Sequence, residues 1–233
     1  MPAFAIAHRG LSGERVENTV AAFQAALQAG FPGVELDLQA TRDAKAVILH
    51  DEDLDRTTSA RGPVDAWSAS DLVRAVTPDG PVPTLGQALE ALAPSRLLWN
   101  LEVKDPRAVP DAADAVRRAA LGTRALFSSM DPACLAAARA AAPRVERALV
   151  TLGPPEHEDL EAAREFSCAW INVDHDFLDA DTVMRLKAAG FKVGAWTVDD
   201  PARALELEAM GVACVITNVR AVGAALAGRN AAW

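Results

Sequence analysis

The chain has 233 residues, 51% hydrophobic and 24% charged, which supports a sizeable core and excludes an intrinsically disordered protein. Its formal net charge of −9 excludes a general nucleic-acid binder and a basic membrane-surface patch, so an anionic partner must meet positive charge placed locally. No apolar run approaches the ~20 residues of a spanning helix, and the N-terminus lacks the basic leader and apolar core of a signal peptide. Cys134, Cys168 and Cys214 are odd in number and widely spaced, as expected of free thiols. A cytoplasmic protein without stable membrane insertion is the expectation; a homo-oligomer is compatible with it.

The predicted elements alternate along the chain. A strand over 4–8 (FAIAH) precedes a helix over 19–30, for which Asn18 or Thr19 is the N-cap. Strands over 34–39 (VELDLQ) and 46–51 (AVILHD) follow. The turn-rich stretch 52–83 reads as an insertion, succeeded by a helix from about Thr84. Further strands are expected at 96–104, 125–129, 147–152, 170–174, 192–198 and 212–218. Helices lie between them at 110–122, 132–142, 157–166, 180–190 and 200–211, and a last one covers 220–228. Parallel strands need a crossover of a dozen residues or more, and only 46–51 lacks one, so it is the return arm of a hairpin. The remaining strands make eight βα units, the count of a (β/α)8 TIM barrel in one domain over 1–233; an open doubly wound sheet is the alternative. A two-residue turn at Asp43–Ala44 would pair Arg42 with Lys45 and Asp37 with His50.

In such a barrel the catalytic groups come from the C-terminal strand ends. Those ends carry His8 and Arg9, Glu35 and Asp37, His50 and Asp51, Glu102 and Lys104, and Trp196. Glu35, Asp37 and Glu102 alternate with apolar residues and so point inward. Three neighbouring acids repel unless a cation joins them, and an all-oxygen set suits Mg²⁺ or Ca²⁺ better than zinc. His8 and His50 fit a general acid and a general base near neutral pH. Arg9 and Lys104 supply permanent positive charge; Lys104 is one of only four lysines. Trp196 either stacks on a substrate or fills the core. His157 and His175 receive no role. Together these groups suit phosphoryl chemistry.

The segments HRG (8–10), ENT (17–19), ELD (35–37), HD with RTT (50–51, 56–58), LEVK (101–104), AWTV (195–198) and GVACVITN (211–218) resemble the glycerophosphodiester phosphodiesterases. They do so in order over nearly the whole chain. The resemblance implies a metal-dependent (β/α)8 barrel that hydrolyses small-molecule glycerophosphodiesters to sn-glycerol 3-phosphate and an alcohol. It implies His8 and His50 as the acid–base pair, and Glu35, Asp37 and Glu102 as metal ligands. Arg9 and Lys104 would hold phosphate and glycerol oxygens, Trp196 would line the glycerol side, and 52–83 would be the family's insertion. Either water or the glycerol 2-hydroxyl could attack phosphorus. Val16, Ala44, Met130 and Asn218 depart from the residues common in the family, which are proline, glycine, phenylalanine and aspartate. None of these departures is expected to touch the acid, the base or the metal ligands. The rival readings are a phosphodiesterase of the lysophospholipase D type, a non-catalytic phosphodiester-binding protein and a zinc hydrolase. The last would want more histidines at strand ends.

Overall fold

The alternating apolar runs fold as alternating strands and helices. The structure, a computed structural model, describes residues 2–93, 95–228 and 231–233. In chain order the elements begin with β1 (Phe4–Ala7), α1 (Val20–Gln28), β2 (Gly33–Ala40), β3 (Ala46–Ile48), β4 (Val76–Thr77), β5 (Gly80–Pro81) and α2 (Leu85–Ala91). They continue with β6 (Leu98–Val103), α3 (Val109–Arg118), β7 (Ala125–Ser129), α4 (Pro132–Ala141), β8 (Glu146–Thr151) and α5 (His157–Glu165). The chain ends with β9 (Trp170–Asp174), α6 (Ala180–Ala188), β10 (Lys192–Trp196), α7 (Pro201–Met210), β11 (Cys214–Thr217) and α8 (Arg220–Ala225). Several helices start where a side-chain oxygen satisfies the first free N–H groups. Thr19 caps α1, Thr84 forms a capping box with Gln87 on α2, and Asp131 and Asp200 cap helices whose first residue is proline.

Eight strands pair in parallel in the order β1, β2, β6, β7, β8, β9, β10 and β11, and the β1–β11 pairing closes the ring. This is the (β/α)8 barrel that the strand count predicts. Strand alternation divides the side chains into two sets. Leu36, Leu38, Leu101, Val103, Phe127 and Ile171 point outward into the core shared with the helices. Phe4, Ile6, Leu98, Leu126, Trp170 and Ile216 belong to a second apolar cluster inside the ring, and Trp233 packs edge-on against Phe4 and Trp170. No helix among the described residues is long and apolar enough to cross a membrane.

The hairpin is real, but its register differs from the predicted one. β2 and β3 pair Leu38 with Ile48, Gln39 with Val47 and Ala40 with Ala46, so Asp37 lies opposite Leu49 rather than His50. The loop has three residues, Arg42 to Ala44, closed by the Thr41 N–H donating to the Lys45 carbonyl at 3.1 Å. Ala44 adopts a left-handed φ of 55°. A slip of one residue exchanges the two faces of a strand. The observed register sends Ala46 and Ile48 into the main core. It sends Val47 and Leu49 under the insertion, where Leu54, Val64, Leu72, Ala75 and Val82 complete a separate apolar cluster. The Ala44 departure thus falls where a left-handed residue is required. We expect Ala44→Gly to raise stability by about 0.5–1 kcal/mol, since left-handed strain of ~1–2 kcal/mol is relieved while glycine loosens the unfolded chain. A urea titration reads the change directly, and an unchanged or lower midpoint would contradict this loop conformation.

Candidate active site

The end of β1 explains the His-Arg-Gly sequence. The His8 N–H still continues the ladder, donating to the Thr217 carbonyl at 2.8 Å. At Arg9 and Gly10 the chain turns left-handed, with φ of 56° and 76°. That turn aims the Arg9 N–H at Glu35 Oε2, 2.9 Å away. It also brings Gly10 against α1 so closely that a Cβ there would sit 2.7 Å from Ala22.

Glu35 and Asp37 project from β2 and Glu102 from β6, where register pairs Asp37 with Glu102. Glu35 and Asp37 are each 1% exposed, so their charges have almost no water to screen them. The three side chains bring oxygens to within 4.8 Å of one another. Arg9 Nε lies 3.1 Å from Asp37 Oδ2 and Lys104 Nζ lies 3.2 Å from Asp37 Oδ1, while Lys104 also contacts Glu102. The first two are ion pairs by distance but are misaligned for hydrogen bonding: Arg9 Nε and Asp37 Oδ1 have no hydrogen-bond partner, nor does Glu35 Oε1. Burial, with the charges of Asp37 and Glu102 added, pushes the Glu35 carboxyl well above the usual carboxylate range. Burial also opposes ionisation of Asp37, but Lys104 and Arg9 outweigh it and hold its pKa low. Two orphaned acceptor oxygens and three converging carboxylates fit a hard divalent cation.

The two histidines have different partners. His8 Nδ1 is 2.9 Å from Asn218 Oδ1, and its Nε2 is 3.8 Å from Glu35 Oε2. Burial, with Arg9 next, lowers its pKa. His50 Nδ1 is 2.7 Å from the Asp51 carboxylate. The predicted pairing of His50 with Asp37 does not form: the strand ends before it and Gln39 Nε2 donates to its carbonyl at 3.0 Å, but His50 still lies near enough that its protonated form favours ionisation of Asp37 and Glu102. Trp196 lines a small cavity with His8, Glu35, Asn100, Glu102 and Asn172, so it belongs to the mouth and not only to the core. A cleft of about 400 Å³ beside Lys104 is lined by Gln39, Glu52, Val64 and Asp65 as well as Arg107. A larger cavity of about 520 Å³ lies on the outer wall between α2 and α3, away from these groups.

Several residues of the site escape a reading of the sequence by strand ends. Asn18, considered there only as a helix cap, donates from Nδ2 to Asp37 Oδ2 at 2.9 Å and accepts the Asp37 N–H at 3.3 Å. Thr19 is the cap. Glu17 accepts from Arg9 at 3.0 Å and from Arg56 at 2.7 and 3.0 Å, and Arg56 in turn grips Asp51 at 2.6 and 3.1 Å. Sequence alone places Asn218 clear of the acid, base and ligands; in the structure it touches His8 directly, because β11 runs beside β1 and ends level with it. The signal for Glu17, Asn18 and Arg56 was the polar ENT and RTT segments, each placed outside a strand.

The pattern of the Glycerophosphoryl diester phosphodiesterase family matches residues 8–221. Among curated proteins, the chain is 30% identical to a glycerophosphodiester phosphodiesterase of Caldanaerobacter subterraneus subsp. tengcongensis, over 94% of this chain and 95% of that one. It is 34% identical to the Bacillus subtilis protein YqiK over 62% of this chain and 65% of YqiK. Among solved structures it is similar to an Oleispira antarctica phosphodiesterase in complex with the product sn-glycerol-3-phosphate. That match has a TM-score of 0.90 and 28% identity, covering 97% of each chain. The family pattern spans both histidine positions and all three acids, and the chain belongs to the glycerophosphoryl diester phosphodiesterase family of enzymes.

Proposed function

We propose that this chain hydrolyses glycerophosphodiesters to sn-glycerol 3-phosphate and an alcohol, with Mg²⁺ or Ca²⁺ held by Glu35, Asp37 and Glu102. The observation that carries the reading is the set of three converging carboxylates, two of them with an unpartnered buried oxygen, flanked by Arg9, Lys104, His8 and His50. With a divalent ion bound and all three carboxylates ionised around it, Arg9 and Lys104 would leave one net positive charge, which suits a singly charged phosphodiester. The bound cation supplies Lewis-acid polarisation of phosphoryl oxygens. Product glycerol 3-phosphate in the Oleispira antarctica relative supports the substrate class.

The chain's own groups divide the remaining work. Arg9 and Lys104 orient the phosphate and glycerol oxygens. His8, with Nδ1 occupied by Asn218, offers Nε2 beside Glu35 as the base that takes a proton from the attacking oxygen. His50, backed by the Asp51 carboxylate, returns a proton to the leaving alcohol. The leaving group has room in the cleft beside Lys104 that the insertion helps to form. Trp196 closes the glycerol side. Three buried free thiols accord with action in a reducing cytoplasm.

The first test is release of glycerol 3-phosphate from glycerophosphocholine, with lysophosphatidylcholine in parallel, under EDTA and after Mg²⁺ or Ca²⁺ is restored. Metal-dependent turnover of the soluble diester is expected; turnover of the lysolipid alone would favour the lysophospholipase D reading, and binding without turnover a non-catalytic role. His8→Ala and His50→Ala should each lower kcat by about 10²-fold or more with the circular dichroism spectrum unchanged. A variant with near-full activity would remove that histidine from the chemistry.

Metal binding is also readable without substrate. Saturating the site a hundredfold above Kd should stabilise the fold by about 2.7 kcal/mol, or roughly 5–10 °C for a domain of this size. Glu35→Gln should abolish that shift while leaving the metal-free protein at least as stable, because burial and the neighbouring acids already disfavour the ionised form of Glu35 and the amide keeps its shape without that cost. A metal-induced shift that survives Glu35→Gln would rule Glu35 out as a ligand.

The Asp51 contact predicts a pH dependence. Its carboxyl is lowered to about 2, chiefly by hydrogen bonds from Arg56, against a cost of burial and with His50 adding to it. A depressed folded pKa gives stability that is present above the unfolded value near 3.8 and lost as pH falls towards 2. Asp51→Asn should therefore be less stable than the parent at neutral pH, and the two should converge between pH ~4 and ~2 in urea titrations. A gap that stays constant across that window would show that the contact does not depend on charge.

A further inference from the structure

The hydrogen bonds behind His8 have directions that can be deduced. The Asp199 carboxylate accepts from the Asn218 backbone N–H at 2.8 Å, from Thr217 Oγ1 at 3.1 Å and from Asn218 Nδ2 at 2.8 Å. A carboxylate only accepts, so the amide nitrogen of Asn218 must face Asp199. Its oxygen then faces the other way, towards His8 Nδ1 at 2.9 Å and Ser12 Oγ at 2.7 Å. An amide oxygen also only accepts, so His8 Nδ1 must be the donor. Ser12 cannot set this direction, because its hydroxyl donates or accepts and also lies 2.8 Å from the His8 carbonyl. The orienting group is Asp199, one residue beyond the reach of the His8 ring.

We propose that Asp199 and Asn218 are positioning residues that fix His8 in the tautomer with its proton on Nδ1, leaving Nε2 as the nitrogen that receives the proton in the reaction. The catalytic part rests on the assignment of His8 as base; the tautomer does not. The relay uses a neutral link where the other histidine uses a direct carboxylate, so it selects a tautomer without placing a negative charge against Nδ1. Rotation of the Asn218 amide would set its oxygen against the Asp199 carboxylate and offer an N–H to Nδ1. The proton would then move to Nε2, and the base would be lost.

The test reads ring ¹⁵N shifts of His8 in the labelled full-length protein at about pH 8, where neutral imidazole predominates, with and without Mg²⁺. His8→Gln assigns the resonances. The parent should show the Nδ1–H form only. Asp199→Asn should give a mixture or the Nε2–H form, with kcat lower by about 10- to 100-fold and KM little changed. The double variant Asp199→Asn, Asn218→Asp exchanges the two groups, so an acceptor again faces Nδ1; it should restore both the Nδ1–H signal and most of kcat. Asn218→Ala provides the second single variant should Asp199→Asn fail to fold, and should likewise lose the pure Nδ1–H signal. An Nε2–H parent, a single variant that keeps the parent tautomer and kcat, or a folded exchange variant that restores neither overturns the proposal. Full activity in His8→Ala would leave the tautomer intact but remove its catalytic purpose.

Discussion

The constraint on which the rest of this barrel mouth depends is the crowding of three carboxylates. Glu35 and Asp37 leave one strand on the same face, and Glu102 meets Asp37 across the next. Almost no water reaches the first two. Such an arrangement is destabilising unless opposite charge is supplied close by. Arg9 and Lys104 supply part of it, one from the end of the neighbouring strand β1 and the other from two residues beyond Glu102. The misaligned contacts and the orphaned oxygens show that the two cations do not finish the task. Charge is compensated enough for the barrel to fold, and incompletely enough that the three carboxylates could hold a cation.

Outside this centre a chain of ion pairs continues. Asp37 is joined to Arg9, Arg9 to Glu17, Glu17 to Arg56, Arg56 to Asp51, and Asp51 to His50. The chain of ion pairs links the loop after β1, the end of the hairpin and the start of the insertion. Isolated surface pairs contribute little, but a network with bidentate arginine geometry is a different case. Its consequence here is positional. His50 sits on a segment that has left the ladder, and Asp51 with Arg56 fixes its ring where strand pairing no longer can. The insertion is thus tied to the site through Arg56 and through the apolar cluster under β3.

Much of this was legible in the sequence. Every barrel strand follows from a short apolar run between helical segments, and the inward direction of Glu35, Asp37 and Glu102 follows from their alternation with apolar residues. What was not legible depends on contacts without a local period. The hairpin register turns on whether Ala44 accepts a left-handed conformation, and spacing alone favours the shorter turn. Asn18 looks like a helix cap because Asn is a common cap; its bonds to Asp37 need the loop after β1 to fold back over β2. Asn218 is 210 residues from His8 in the chain, and only closure of the barrel brings β11 beside β1. A departure from the family pattern at that position therefore looks remote in sequence and is adjacent in space.

The left-handed residues around the mouth point the same way. Arg9 and Asn18 both have positive φ without being glycine, and the Asn18 N–H donates to the Arg9 carbonyl at 2.9 Å. Each such residue costs of order 1–2 kcal/mol relative to an ordinary backbone conformation. The two are held that way by what they reach: Arg9 presents its N–H to Glu35 and its guanidinium to Asp37, and Asn18 grips Asp37 from the other side. Relaxing either turn would leave a buried carboxylate with fewer donors. The strained backbone is thus a consequence of the same constraint as the ion pairs, since donors must be carried to acids that the strands alone place side by side.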